Sequence, residues 1–235
     1  QNLMPQRTVV DIGARKGHWF KKIAYYFPDS PAHLFEPTPN IYEWLDSKHR
    51  KNDRVNIHGI ALSDVSATLD FHIDLELGGW SGLTQQREGG KYRTIKVPVK
   101  TLDSYKLKNV GLIKIDVEGS ELLVIEGAKD TIDRCRPSVQ VEIVPKQCTL
   151  FGYEPQDLYD FFAQRDYVCV SAIRRAANAD QRGLWFGKDI GMKHRQIKKY
   201  MDRLFVPREV HEATDYGTMA QANIDPNAAS LFDFG

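Results

Sequence analysis

Residues 9–19 read Val9-Val10-Asp11-Ile12-Gly13-Ala14-Arg15-Lys16-Gly17-His18-Trp19. An apolar run rich in β-branched residues stops at a first glycine, a second glycine follows four positions later, and an amphipathic stretch then begins. This pattern predicts a strand, a tight turn and a helix, the unit with which a doubly wound α/β sheet holds a nucleotide-like ligand at its carboxyl edge. Glycine suits the turn because it accepts a positive φ and lets ligand atoms approach the backbone.

The spacing of this turn bears on the ligand. Asp11-x-Gly13-x-x-x-Gly17 differs from the Gly-x-Gly-x-x-Gly pattern that cradles a pyrophosphate, so a dinucleotide is not expected. A carboxylate before the first glycine suits a cationic group such as the amino group of a methionine moiety, which points to S-adenosylmethionine. An ordinary strand-to-helix loop has the same spacing, and the turn alone does not distinguish the two.

Bulk composition restricts the class of protein. With 235 residues, 42% hydrophobic and 27% charged, the chain has the size and composition of a globular protein of one or at most two domains. No apolar run approaches the roughly 18 residues of a membrane span, and no signal pattern opens the chain, so we expect a cytoplasmic protein. The three scattered cysteines predict free thiols, and no metal-ligating set is predicted. The first residue is Gln1, which is consistent with a piece of a longer protein.

Acidic and apolar residues follow the next two predicted strands. The second strand ends in Glu36-Pro37, where a carboxylate is placed to accept hydrogen bonds from ribose hydroxyls. A third strand ends at Ala61-Leu62-Ser63-Asp64, where we expect Leu62 to pack on adenine and Ser63 or Asp64 to accept from its amine. The predicted cofactor-binding residues are Asp11, Gly13, Ala14, Gly17, Glu36, Pro37, Leu62, Ser63, Asp64 and Asp116.

An insertion is predicted at residues 68–99. Two alternating stretches flank a glycine-rich excursion that contains Trp80 and Ser81, which indicates a β-hairpin that overhangs the site. We interpret Trp80 and Ser81 as substrate contacts. The alternative, that Trp80 only anchors the loop to the core, stays open.

A second informative stretch reads Gly111-Leu112-Ile113-Lys114-Ile115-Asp116-Val117-Glu118-Gly119-Ser120-Glu121. Its nearly continuous β-branched run predicts a strand buried on both faces, with Lys114 and Asp116 on the same face. Buried charges are costly unless they pair or serve a site. We favour function for Asp116 and Glu118. For Glu121 we favour a structural role, as a carboxylate at the N-terminus of the following helix.

The C-terminal third predicts a mixed sheet edge and a basic helix. Residues 167–171 and 184–186 predict an antiparallel strand pair, after a fifth strand that carries Glu142. Residues 191–213 predict a basic helical extension that follows the α/β domain at 1–190, and 214–235 predict a flexible tail. The apolar stripe of the predicted helix is Ile197, Met201, Leu204 and Phe205.

The motifs, taken in order, resemble the FkbM family of S-adenosylmethionine-dependent methyltransferases. They are Val10-Asp11-Ile12-Gly13-Ala14 with Gly17, Phe35-Glu36-Pro37, Ala61-Leu62-Ser63-Asp64, Thr101-Leu102-Asp103, Lys114-Ile115-Asp116-Val117-Glu118-Gly119 with Glu121, Glu126-Gly127-Ala128, and Arg136-Pro137 with Val141-Glu142-Ile143. The resemblance implies a Rossmann-like class I methyltransferase sandwich, with a mostly parallel seven-stranded sheet whose last strand is antiparallel. Arg15 departs from this pattern, because the family's first motif typically carries Asn there.

The leading hypothesis is an O-methyltransferase that acts on a hydroxyl of a carbohydrate or secondary-metabolite acceptor. Asp116 and Glu118 are the candidates to orient or deprotonate that hydroxyl, with Lys114 and Glu142 in reserve. One alternative is an RNA ribose 2'-O-methyltransferase that uses the basic helix. Another is a degenerate methyltransferase fold that serves as a binding module. The net charge of +1 gives no global argument for nucleic acid, and we do not expect a nucleic-acid partner.

Overall fold

Two sheets organise the residues that this computed structural model describes, which are 7–77, 79–174, 184–189 and 201–213. The strands are β1 (Thr8–Ile12), β2 (Ala32–Phe35), β3 (Val55–His58), β4 (Ala61–Leu62), β5 (Ala67–Asp74), β6 (Tyr92–Lys100), β7 (Val110–Ile115), β8 (Ser138–Ile143), β9 (Tyr167–Arg174), β10 (Leu184–Asp189) and β11 (Met201–Pro207). The helices are α1 (His18–Tyr26), α2 (Pro39–His49), α3 (Glu121–Glu126), α4 (Lys129–Cys135), α5 (Pro145–Leu150), α6 (Pro155–Ala163) and α7 (Arg208–Ala213). Across this described part of the chain, no helix has both the length and the apolar character needed to cross a membrane.

The main sheet has the order β10-β9-β11-β8-β7-β1-β2-β3. Strands β3, β2, β1, β7 and β8 pair in parallel, whereas β11 runs antiparallel to both of its neighbours. The seven strands from β9 to β3 confirm the predicted class I methyltransferase sheet, and β11 is the reversed strand. An eighth strand, β10, extends the edge by pairing antiparallel with β9.

The central strands are buried on both faces, as their β-branched composition predicts. Every residue of β1 and of β7 is buried. Side chains alternate between two apolar layers, with Val9 and Leu112 in the layer of α1 and α2 and Val10 and Ile113 in the layer of α3, α4 and α6. This packing fixes the carboxyl ends of β1, β2, β7 and β8 at one edge of the sheet.

The predicted insertion is confirmed as a β-hairpin. Strands β5 and β6 pair antiparallel from Ala67 opposite Val99 to Asp74 opposite Tyr92, and β4 adds a third strand. The loop between them is tied to buried Asp74, whose carboxylate lies 2.9 Å from the Arg87 guanidinium. This contact therefore fixes the loop to the end of the hairpin that carries it.

The predicted basic helix is wrong over residues 201–207, which form β11 between β8 and β9. Phe205 and Val206 are buried on opposite sides of this strand, so both faces are apolar and the run resembles the stripe of a helix. Only Arg208–Ala213 is helical. The methyltransferase domain therefore extends past residue 190, to at least Pro207. Ile197, with the rest of 190–200, and the predicted tail at 214–235 lie outside the described residues.

Candidate active site

A cavity of about 710 Å³ opens at the carboxyl ends of β1, β2, β7 and β8. The insertion borders it on one side and α5 on another. Ligands of open α/β sheets bind at this edge. The predicted site residues that line the cavity are Gly13, Ala14, Glu36, Pro37, Leu62, Trp80, Ser81, Lys114, Asp116, Glu118 and Glu142.

The glycine turn packs directly on the end of β7. Gly13 has a φ of +75°, and a Cβ placed there would lie 1.8 Å from the carbonyl oxygen of Asp116. The turn thus requires glycine, because a side chain at Gly13 would push β1 and β7 apart. Gly17 does not line the cavity. It precedes α1 with a φ of +66°, and its role is to let the chain enter that helix.

Glu36 presents a fixed carboxylate to the cavity. Its Oε2 accepts a hydrogen bond from the Arg15 backbone amide at 2.9 Å, and its Oε1 accepts one from the Thr38 amide at 2.8 Å. Burial raises the pKa of the Glu36 carboxyl, and these hydrogen bonds oppose that rise. Since a carboxylate oxygen has two acceptor positions, each oxygen keeps capacity for a hydroxyl donor.

Asp11 lies beneath the cavity rather than in its lining. It is fully buried, and the Nζ of Lys114 lies 3.5 Å from its Oδ1 and 3.0 Å from the Oδ2 of Asp116. The same ammonium donates a hydrogen bond to the Gly13 carbonyl at 3.1 Å. Burial alone would lower the pKa of Lys114, but the Asp116 and Asp11 charges outweigh it and raise the pKa. Lys114 is therefore a counter-ion of Asp11 and Asp116, which disfavours it as the proton acceptor because a base must be neutral. Its reserve role in orienting the acceptor hydroxyl stays a prediction.

Three carboxylates meet at the cavity floor. Oxygen atoms of Asp116, Glu118 and Glu142 lie within 4.8 Å of one another. Burial, followed by repulsion from Asp116, raises the pKa of Glu118 to about 8 and also raises the pKa of Glu142. Carboxyls with raised pKa values are suited to exchange protons near neutral pH. Among the residues that the structure describes, these three carboxylates are close enough together to hold a divalent cation, a possibility that the sequence did not indicate.

Glu118 sits on a turn with two successive left-handed residues. Glu118 has a φ of +58° and Gly119 a φ of +106°. The carboxylate of Glu121 accepts hydrogen bonds from the Val117 and Gly119 amides at 3.1 and 3.0 Å. The Tyr153 hydroxyl donates to the Gly119 carbonyl at 3.0 Å. Glu121 is thus structural, as predicted, and it holds the turn that carries Glu118.

Two glutamines fix Glu118 itself. The side-chain amide of Gln147, on α5, donates to Oε2 of Glu118 at 2.5 Å. The amide of Gln86, in the insertion, donates to the Glu118 carbonyl at 2.5 Å. Sequence analysis missed both glutamines, because neither belongs to a motif and the contacts join segments far apart in the chain. The position of Gln147, just inside a helix that follows β8, is the one local signal for it.

Strand β11 also brings an acidic residue next to Glu142. Asp202 on β11 lies opposite Glu142 in the register of the sheet. Burial raises the pKa of Asp202 to about 6, and the Lys114 charge opposes the rise. Because the sequence predicts a helix over these residues, the pairing of Asp202 with Glu142 could not be inferred from it.

Ser63 and Asp64 are not among the residues that line the cavity, which extends only to Leu62. Buried Ser63 donates a hydrogen bond to Asp64 at 2.9 Å, and its backbone carbonyl packs against Gly127. Trp80 does line the cavity, and 42% of the residue is exposed. Its role as a substrate contact stays a prediction.

Comparison with known proteins identifies a matching family and one curated relative. Residues 11–169 match the family model described as the Methyltransferase FkbM domain. Over 149 residues the chain is 27% identical to the 2-O-methyltransferase NoeI of Sinorhizobium fredii (strain NBRC 101917 / NGR234), in an alignment that covers 56% of this chain and 61% of that protein. The chain thus spans about three fifths of the length of the curated relative that it matches.

Two solved structures show a more distant similarity. The methyltransferase FkbM of Methylobacillus flagellatus KT matches with a TM-score of 0.49 and 17% identity, over 70% of this chain and 39% of that one. The precorrin-6y C5,15-methyltransferase of Geobacter metallireducens GS-15 matches with a TM-score of 0.41 and 11% identity, over 86% of this chain and 77% of that one.

Proposed function

Because the chain belongs to the FkbM family of methyltransferases, we propose that it transfers a methyl group from S-adenosylmethionine to a hydroxyl of a carbohydrate or secondary-metabolite acceptor. One observation carries the proposal: the glycine turn, the Glu36 carboxylate and the acidic floor at Asp116 line the same cavity. The relative that is named a 2-O-methyltransferase supports oxygen as the atom that is methylated.

The cavity residues fit the cofactor. Glu36 offers two oriented oxygens to ribose hydroxyls, and Gly13 and Ala14 provide a surface without bulky side chains beside it. Buried Leu62 offers an apolar surface to the adenine ring. When bound, S-adenosylmethionine supplies an electrophilic methyl group on a sulfonium. We assign cofactor binding to these four residues and to Pro37, and we place Asp11 and Gly17 as supports of the turn.

The floor carboxylates are proposed to handle the acceptor hydroxyl. A hydroxyl must lose its proton as its oxygen is methylated, and a carboxylate within hydrogen-bond reach can accept that proton. We assign this role to Glu118, which Gln147 and Gln86 orient, and we assign alignment of the hydroxyl to Asp116. Glu142 is the third carboxylate of the cavity floor. Trp80 and Ser81 are proposed to contact the acceptor from the insertion.

Part of the argument for an RNA ribose 2'-O-methyltransferase no longer holds. It rested on a basic helix at 191–213, and residues 201–207 of that range form β11 inside the sheet. The alternative of a degenerate binding module predicts the loss of site residues, whereas Glu36, Asp116 and Glu118 all line the cavity. The O-methyltransferase is therefore the function that we propose.

The test combines cofactor binding with acceptor methylation. Calorimetry is expected to show that S-adenosylhomocysteine binds, and mass spectrometry with S-adenosylmethionine and a panel of glycans is expected to show a methylated product. Glu118→Gln should abolish most product without weakening cofactor binding. Glu126→Gln, an exposed carboxyl on α3, is the matched control. A protein that binds no S-adenosylhomocysteine would refute the proposal.

A further inference from the structure

The rim of the cavity is basic although its floor is acidic. Glu36 is buried, and Asp116, Glu118 and Glu142 are half-buried at the floor. Exposed cationic side chains line the outer part of the same cavity, namely Arg15, Lys16 and Lys146. Cations and carboxylates therefore line the same cavity.

Arg15 reaches from the glycine turn to the insertion. Its φ of +48° turns the residue outward, and a Cβ placed at Gly79 would lie 2.9 Å from its Nη1. The guanidinium therefore lies against the backbone of the insertion at the cavity rim. Burial dominates the raised pKa of Glu118, and the Arg15 charge opposes that rise, so the two groups are within electrostatic range of each other.

Lys146 lines the same cavity from a different element. It lies in the first turn of α5, next to Gln147, whose amide is bonded to Glu118. Lys146 and Arg15 thus line the cavity that contains Glu118 from two different elements, α5 and the turn after β1.

Neither cation is neutralised within the described part of the protein. The ion pairs found there include none with Arg15 or Lys146, whereas Lys114 at the floor is shared by Asp11 and Asp116. Unpaired cations on an open surface are ordinary, because water solvates them. These two instead line the cavity that contains the proposed proton acceptor, where charge-assisted hydrogen bonds from both would hold a bound anion.

We propose that the acceptor carries an anionic group, a phosphate or a carboxylate, which Arg15 and Lys146 bind at the rim while the acceptor hydroxyl reaches Glu118. This inference rests on the proposed function and narrows its substrate class to acidic or phosphorylated saccharides and metabolites. Arg15 suits either anion because its planar guanidinium can donate two parallel hydrogen bonds.

The test measures binding of three matched probes to the protein saturated with S-adenosylhomocysteine. The probes are methyl glucoside, glucuronate and glucose phosphate, which share a sugar ring and differ in charge. We expect at least one anionic probe to bind roughly tenfold more tightly than methyl glucoside, a difference of about 1.4 kcal/mol. The stronger of the two anionic probes identifies the group as carboxylate or phosphate.

Variants locate the effect at the rim. Arg15→Gln and Lys146→Gln should each reduce the preference for the anionic probe several-fold, and the double variant should remove it. Lys51→Gln, an exposed cation away from the cavity, should leave it unchanged. Lys146→Gln keeps the test valid if Arg15→Gln disturbs the glycine turn.

Three outcomes would overturn the inference. In one, the anionic probes bind no better than methyl glucoside or no probe binds. In another, the preference survives in the double variant. In the third, a short single-stranded RNA binds more tightly than either anionic sugar and depends on the same cations, which would assign the rim to nucleic acid. Normal affinity for S-adenosylhomocysteine in any of these cases leaves the proposed function standing, whereas its loss in the unmodified protein refutes both.

Discussion

The Nζ of Lys114 lies 3.5 Å from Oδ1 of Asp11, and only 6% and 0% of the two side chains are exposed. This pair sits directly under the glycine turn. Burial raises the pKa of the Asp11 carboxyl, and the Lys114 charge opposes that rise. The Lys114 ammonium therefore stabilises the ionised form of Asp11 beneath the cavity floor.

Removing that ammonium should destabilise the fold. Lys114→Met leaves Asp11 buried without its cation, and the free energy of unfolding should fall by roughly 3–5 kcal/mol in urea titrations. Adding Asp11→Asn to Lys114→Met should restore part of the loss, because the uncompensated charge is then absent. Equal stability of the unmodified protein and Lys114→Met would contradict the importance of this pair.

Replacing Glu36 should weaken cofactor binding. Glu36→Ala removes both oriented acceptors, and calorimetry should show a loss of about 1.5–3 kcal/mol in the affinity for S-adenosylhomocysteine, as expected for hydrogen bonds to a charged group. Glu43→Ala, an exposed carboxyl on α2, serves as the control. Unchanged affinity in Glu36→Ala would remove Glu36 from the ribose site.

The raised pKa of Glu118 predicts a pH-dependent stability. The pKa of this carboxyl rises from its ordinary 4.5 to about 8, so its favourable contribution is fully present below pH 4.5 and is lost as the pH rises through 8. Glu118→Gln keeps an acceptor for Gln147 but removes the titration. Relative to the unmodified protein, the variant should therefore gain stability as the pH increases.

That gain is at most a few kcal/mol, because each unit of pKa shift corresponds to about 1.4 kcal/mol. Thermal unfolding measured from about pH 5 to pH 9 checks it, with Glu126→Gln as the control that should run parallel to the unmodified protein. A difference between Glu118→Gln and the unmodified protein that stays constant over this range would show that Glu118 is ionised in the fold.

Phe205 should be essential to the core. It is fully buried on β11, and its ring stacks on that of Phe162 with centroids 4.1 Å apart. Phe205→Ala should cost about 3–5 kcal/mol of unfolding free energy, and Val65→Ala, at an exposed position, should cost little.

A fragment that ends at residue 190 should lack cooperative unfolding, because it lacks β11 and with it Phe205. Cooperative unfolding of that fragment would instead support the boundary predicted from the sequence.

Trp80 and Trp44 offer a matched comparison of two exposed indoles. They are 42% and 43% exposed, and only Trp80 is among the residues that line the cavity. Trp80→Ala should weaken sugar probes several-fold while leaving cofactor affinity and melting temperature nearly unchanged. Trp44→Ala should affect none of the three. A drop in melting temperature confined to Trp80→Ala would favour an anchoring role for that residue.

The sequence predicts the parts of the site that local pattern determines. Gly13, Glu36 and Asp116 each follow a buried strand, and carboxyl ends of parallel strands meet at one edge, so their proximity could be inferred without coordinates. The charged pair of Lys114 and Asp116 could also be inferred, because alternate residues of a strand share a face.

The remaining features depend on how distant segments approach one another. Gln86 and Gln147 reach Glu118 from the insertion and from α5, and no spacing in the sequence records those contacts. Leu204, Phe205 and Val206 form an apolar run whose length suits either a strand or part of a helix. These residues form a strand because they pair with β8 and β9. Such pairing joins segments that are distant in the sequence, so the local pattern does not predict it.

The placement of β11 has a consequence for the order in which the chain folds. Strands β8 and β9 are not neighbours in the sheet, and each keeps an open edge until residues 201–207 arrive between them. During synthesis, those edges stay unpaired while the intervening residues emerge, and unpaired strand edges are templates for association with other chains. We expect the final closing of the sheet to be a late, long-range step, and early termination before β11 to yield aggregation rather than a smaller native domain.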